Sequence, residues 1–170
     1  MDEELEGAIP RHIIKQAEQV LEKAKSARVM LATAESCTGG MLAALLTDVH
    51  GYGRVFDRGF VSYSDQAKCD LLGIERKMVD DCGAVSQQVA EAMAEGALDR
   101  SQADYVVSIT GFAGPGGEDD EEGLVHFALA CKNGHRFHRE EHFGEIGRDG
   151  VRIAAMKTAL DLLDEGLCAD

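Results

Sequence analysis

Two apolar runs of strand length each run directly into glycine. Arg28-Val29-Met30-Leu31-Ala32 leads into Thr33-Ala34-Glu35-Ser36-Cys37-Thr38-Gly39-Gly40, and Asp104-Tyr105-Val106-Val107-Ser108-Ile109 leads into Thr110-Gly111-Phe112-Ala113-Gly114-Pro115-Gly116-Gly117. Their length and branching read as buried strands. In an open α/β sheet, ligands sit outside the carboxyl ends of strands, so two such loops on neighbouring strands would border one pocket. The elements between them support that layout. Pro10 opens a helical pattern in which Ile13, Ile14, Ala17, Val20, Leu21 and Ala24 share a face, and Met41, Leu42, Leu45, Leu46 and Val49 share one after the first glycine turn. Val55 and Phe56 fit a short helical turn, and Gly59 to Tyr63 alternates as a strand.

Further along, Ser64 and Ser86 read as N-caps of helices, with one more short helix over 75–82. The segments 124–131 and 137–143 flank a hairpin turn at Lys132-Asn133-Gly134-His135. A long helix covers 149–165, and apolar residues on two of its sides predict either extensive burial or a subunit contact, which allows a homo-oligomer. The expected architecture is a single three-layer α/β/α domain over residues 1–170 with a mixed sheet. The acidic run Glu118 to Glu122 is expected to be its most mobile segment.

Composition narrows the partners. The net charge of −14 repels polyphosphate and argues against nucleic acid, though a small anionic ligand needs only a few local cations. Five cysteines at wide spacing include no C-x-x-C, so neither a zinc site nor a disulfide framework is expected. The acidic stretch Met1 to Glu6 lacks the parts of a signal peptide, and no apolar run approaches membrane-spanning length, which predicts a cytoplasmic protein without a membrane partner. Six scattered histidines, with His138 and His142 on one strand face, read as surface residues rather than metal ligands.

Three places carry residues suited to chemistry. In the first turn, Ser36 and Thr38 would lie beside the unpaired amides of a helix start. That suits an anion site or an attacking serine with its oxyanion hole, and it equally suits a plain turn with Thr38 as N-cap. In Tyr63-Ser64-Asp65-Gln66-Ala67-Lys68, the tyrosine closes a strand and the lysine lies one turn into the next helix, so both can reach the same end of the sheet. A lysine base must lose about three units from a pKa of roughly 10.4, which desolvation can supply; a solvated lysine and a half-buried tyrosine fit the pattern as well. At the start of the last helix, Arg148 and Arg152 oppose the helix dipole and need an anionic partner, either a phosphate or acidic neighbours. Neither glycine loop matches a dinucleotide or triphosphate motif.

Taken together and in order, the motif at 33–40, Arg58-Gly59-Phe60-Val61-Ser62-Tyr63-Ser64 with Lys68, Leu72-Gly73-Ile74, Gly83-Ala84-Val85-Ser86 and the loop 110–117 resemble the C-terminal domain of the competence/damage-inducible protein CinA, the nicotinamide-nucleotide amidase family. The resemblance spans about residues 10 to 165. It implies hydrolysis of the carboxamide of nicotinamide mononucleotide to nicotinate mononucleotide and ammonia, by a serine mechanism with no metal or cofactor. By position, it implies Ser36 as nucleophile, with Lys68 and Tyr63 handling its proton. Donors to the oxyanion are then expected near Thr38, Gly39 and Gly40, and phosphate binding at Gly111, Gly114, Gly116, Gly117, Arg148 and Arg152. Where family members commonly carry a Lys-Pro pair after the second glycine loop, this chain has Glu118-Asp119-Asp120-Glu121-Glu122-Gly123. Two other readings stay open, a non-catalytic nucleotide-binding or interaction domain and a serine amidohydrolase acting on another small amide.

Overall fold

The computed structural model describes residues 7–169, so the acidic hexapeptide Met1 to Glu6 lies outside the described residues. The elements run α1 (Arg11–Ala27), β1 (Leu31–Glu35), α2 (Met41–Asp48), β2 (Phe56–Val61), α3 (Asp65–Leu72), α4 (Arg76–Cys82), α5 (Gln87–Asp99), β3 (Tyr105–Gly111), β4 (Leu124–Cys131), β5 (Arg136–His142) and α6 (Arg148–Cys168). The five strands form one sheet in the order β2-β1-β3-β4-β5. The first three are mutually parallel and the last two antiparallel, which is the expected mixed sheet.

Both faces of the sheet are covered. On one face α1, α2 and α6 bury Ile13, Leu21, Leu42, Leu45, Leu160 and Leu163 against Leu31, Val107 and Leu129. On the other, α3, α4 and α5 bury Leu72, Val79, Val89 and Met93 against Ala32, Ala34 and Val106. Small residues set two of the spacings. Ala90 and Ala94 of α5 meet Ala128 and Ala130 of β4. A β-carbon at Gly96 of α5 would overlap the Leu72 carbonyl oxygen, so α3 rests directly on α5 at that glycine.

Two expectations change. Val55 closes a turn, its amide donating to the Tyr52 carbonyl at 2.8 Å, but Phe56 does not continue that turn, because it already pairs with Leu31 and β2 begins there. The two apolar sides of α6 are used within the chain, since Val151, Ala155, Met156, Leu160, Leu162 and Leu163 are all buried against α1 and the sheet. The long helix therefore offers no argument for a subunit contact. No helix among the described residues is long and apolar enough to cross a membrane.

Candidate active site

From β1 the chain passes through α2 to β2 on one side, then through α3, α4 and α5 to β3 on the other side of β1. The carboxyl end of β1 is therefore the point where strand order reverses, the usual place for a ligand crevice in an open α/β sheet. Two backbone bonds anchor the chain where it leaves the strands: the Ser36 amide donates to the Ile109 carbonyl at 2.9 Å, and the Ser62 amide to the Glu35 carbonyl at 2.9 Å.

The turn after β1 is tight and internally bonded. Gly39 and Gly40 both take left-handed φ values, 59° and 95°, which only glycine adopts without strain. The Gly39 amide donates to the Ser36 carbonyl at 3.0 Å and the Met41 amide to the Thr38 carbonyl at 3.1 Å. Thr38 is not the N-cap of α2. That position is Gly40, which has no side chain to offer, and the cap comes from Glu35. The fully buried Glu35 carboxylate accepts from the Leu42 amide at 2.9 Å, the Ala43 amide at 3.0 Å and the Thr38 hydroxyl at 2.7 Å. With the Ala44 amide donating to the Gly40 carbonyl at 2.9 Å, every first-turn amide of α2 is satisfied. The helix start is not an open anion site, because the chain's own carboxylate fills it. Among the described residues, the amides of Thr38 and Gly40 have no hydrogen bond within the turn.

Lys68 reaches this turn from the first turn of α3, where Ser64 caps the helix by accepting from the Ala67 amide at 3.0 Å. Its side chain is only 1% exposed. The amine lies 3.1 Å from the Ser36 hydroxyl oxygen, 3.0 Å from the Ser62 carbonyl and 3.3 Å from the Tyr63 carbonyl. Burial pulls the amine below its ordinary pKa, with Asp65, Cys37 and Cys69 partly opposing that shift. A neutral amine with its two hydrogens on the carbonyls turns its lone pair toward the Ser36 O–H, the arrangement of a base facing an alcohol. Tyr63 is 63% exposed, and its main-chain carbonyl, not its phenol, makes this contact. Burial pushes the neighbouring Cys37 thiol up to about 12, which disfavours its thiolate.

The second glycine loop and the start of α6 border the same end of the sheet. Arg152 donates from Nε to the Cys37 carbonyl at 2.9 Å, which ties α6 to the Ser36 turn. Arg148 is exposed and lies over the second loop, where a β-carbon added at Gly114 would come within 2.9 Å of its Nη2. The other glycines are used locally. Gly111 belongs to β3 and pairs with Val125, Gly116 packs under the Asp120 side chain, and the Gly117 amide donates to the Asp120 carboxylate at 2.8 Å. The acidic run is pinned by polar contacts rather than apolar ones, with Asp120 on Gly117 and Glu121 on His142.

Known proteins resemble this chain over nearly all of its described length. The model of the CinA C-terminal domain matches residues 13–167. The chain belongs to that family. A nicotinamide-nucleotide amidohydrolase PncC of Escherichia coli (strain K12) is 42% identical over 153 residues, covering 89% of this chain and 92% of that protein. A CinA-like protein of Leptospira borgpetersenii is 42% identical over 142 residues, and there the match covers 82% of this chain but 34% of the relative. In three dimensions the competence/damage inducible protein CihA of Agrobacterium tumefaciens superposes with a TM-score of 0.90 at 43% identity, over 92% of this chain and 96% of the other.

Within this CinA domain the sequence pattern overlooks two groups. Glu35 looks like an ordinary polar residue at a strand end, yet it is a charge closing a strand buried along its whole length, and such a charge needs partners inside the fold. His126 is not a surface histidine. It is 7% exposed and its Nδ1 meets His138 Nε2 at 3.1 Å, because β4 is covered on both sides. His142 does lie on the surface, between Glu121 and Glu140, and both carboxylates raise its pKa. No group of three or more His, Cys, Asp or Glu among the described residues is placed to hold a metal ion.

Proposed function

We propose that this chain, acting as a single amidase domain, hydrolyses the carboxamide of nicotinamide mononucleotide to nicotinate mononucleotide and ammonia, with Ser36 as nucleophile and Lys68 as its base. The observation that carries the reading is the 3.1 Å contact between a buried amine of lowered pKa and the Ser36 hydroxyl. The name of the Escherichia coli relative supports the choice of substrate.

In this mechanism Lys68 takes the Ser36 proton as the oxygen attacks the amide carbon. The oxyanion that forms is stabilised by the amides of Thr38 and Gly40. The C–N bond then breaks, and the Lys68 ammonium returns its proton to the departing ammonia. Water, deprotonated by Lys68, cleaves the acyl-serine and regenerates the hydroxyl. Tyr63 holds the amine through its carbonyl and leaves its exposed phenol for proton exchange with solvent. The substrate phosphate lies on Arg148 beside Gly114, while Arg152 steadies the turn.

Purified protein and a Ser36→Ala variant, assayed for ammonia released from nicotinamide mononucleotide, test this directly. Wild type should turn over, and the variant should lose about 10⁴-fold or more in kcat, as nucleophile deletions do in serine hydrolases. Equal rates for the two would exclude Ser36. Release from other small amides alone would assign a different substrate, and binding without turnover would leave a nucleotide-binding domain.

A further inference from the structure

Among the described residues, Glu35 is the one fully buried carboxylate, and its hydrogen bonds go to neither the Ser36 hydroxyl nor the Lys68 amine. It is nevertheless bonded to both ends of the nucleophile's turn. Its two oxygens divide four donors. One accepts from the Thr38 hydroxyl at 2.7 Å and the Leu42 amide at 2.9 Å; the other accepts from the Ala43 amide at 3.0 Å and the Thr33 hydroxyl at 3.4 Å. Thr33 belongs to β1, Thr38 to the turn, and Leu42 and Ala43 to α2, so a single residue spans strand, turn and helix on either side of Ser36. The backbone bonds of the turn stay within the turn or run to β3, and α2 has no side-chain cap of its own, so Glu35 is what ties the start of α2 to β1. A negative charge at a helix start is also favoured by the aligned peptide dipoles.

We propose that Glu35 is the positioning residue for the Ser36 nucleophile, its carboxylate fixing the strand–turn–helix geometry that holds the hydroxyl at the Lys68 amine. This rests on the amidase reading. The requirement is for a carboxylate and not merely for a polar side chain of that length. Each oxygen faces one backbone N–H, of Leu42 on one side and Ala43 on the other. A glutamine amide, in either flip, therefore sets its NH₂ against a fixed donor, whereas a carboxylate accepts on both sides. Such a clash tilts the start of α2 and shifts the turn, and misplacement of a reacting group by about 1 Å is enough to cost about 10²-fold in rate.

The test compares Glu35→Gln with Ser108→Ala, a control that removes a buried hydroxyl of β3 bonded to the Ala90 carbonyl at 2.6 Å. Three quantities are read for each: thermal midpoint, kcat and KM with nicotinamide mononucleotide, and the rate at which a fluorophosphonate labels Ser36, followed by mass spectrometry. Glu35→Gln should lower kcat and the labelling rate together by about 100-fold with KM changed less than about threefold. Ser108→Ala should lose a comparable part of the thermal midpoint and keep its kcat. A Glu35→Gln enzyme within threefold of wild type, or a control that loses kcat in step with its stability, would overturn the proposal. Should Glu35→Gln not fold, Thr38→Val removes one donor while leaving the helix amides in place; it should slow labelling about tenfold, and no change would be equally decisive. Wild type that neither turns over nor labels at Ser36 would instead refute the amidase reading itself.

Discussion

The two glycine turns at the carboxyl end of the sheet each receive a carboxylate from the chain, and they differ in where that carboxylate sits. Glu35 is fully buried, bridges three elements and takes two helix amides. Asp120 is exposed and takes one loop amide, that of Gly117, three residues away. Water cannot replace the first contact, so losing it leaves donors unsatisfied; it can replace the second. The difference separates two jobs. On the proposed reading, the buried turn fixes atoms that must not move, and the exposed loop leaves the Arg148 guanidinium open to an incoming anion. Changes near Ser36 should therefore act on kcat, and changes near Arg148 on KM.

The largest effect expected is at Lys68. Lys68→Met should lower kcat by about 10²–10⁴-fold, the usual contribution of a general acid–base group. It should also raise the thermal midpoint, because it removes a buried amine whose charged form the fold disfavours. The pH dependence has a definite sign. Burial makes the folded state hold the Lys68 proton less tightly than the unfolded chain does, so this penalty is complete below the folded-state pKa and fades as pH rises toward the ordinary lysine value. The advantage of the methionine variant in thermal melts should thus be greatest in acid and shrink in base. In wild type, kcat/KM should rise with pH and level off above the lowered pKa of the amine. A profile that falls over that range would contradict a neutral lysine base.

Arg148→Ala comes next. Loss of a charge-assisted pair to phosphate, about 1.5–3 kcal/mol, should raise KM by about 10- to 100-fold with kcat little changed. A loss confined to kcat would move Arg148 out of the phosphate role and blur the contrast between the two turns. Asp120→Asn should have the smallest effect. Removing one exposed charge from the loop that Arg148 overlies should lower KM by about threefold at low salt, with the gain fading at high ionic strength. If KM rises instead, the Asp120 contact organises the loop for substrate rather than competing with it.

The layered sheet was readable because it rests on periodicity and caps, which are local; the same signals put Lys68 at the ligand end of the sheet, while its pairing with Ser36 came from the family resemblance. Ser64 announces α3 three residues ahead of the Ala67 amide it caps, and that fixes where Lys68 can point. What stayed hidden depends on long-range placement. Glu35 meets amides seven and eight positions later, beyond any capping pattern. The exposure of Tyr63 depends on β2 being an edge strand, and the embedding of α6 depends on α1 folding back over it. His126 is apolar in context but polar in kind, and only the pairing of β4 with β5 shows that its partner is His138.

Gly96 lies on α5 and belongs to neither glycine turn, and it lets the backbone of Leu72 rest where a methyl group would otherwise stand. Lys68 lies one turn earlier on the same short helix. Any side chain grown at position 96 would therefore lever that helix outward and draw the amine away from the alcohol. Tolerance to substitution at this remote residue would gauge how finely the gap between base and nucleophile is set.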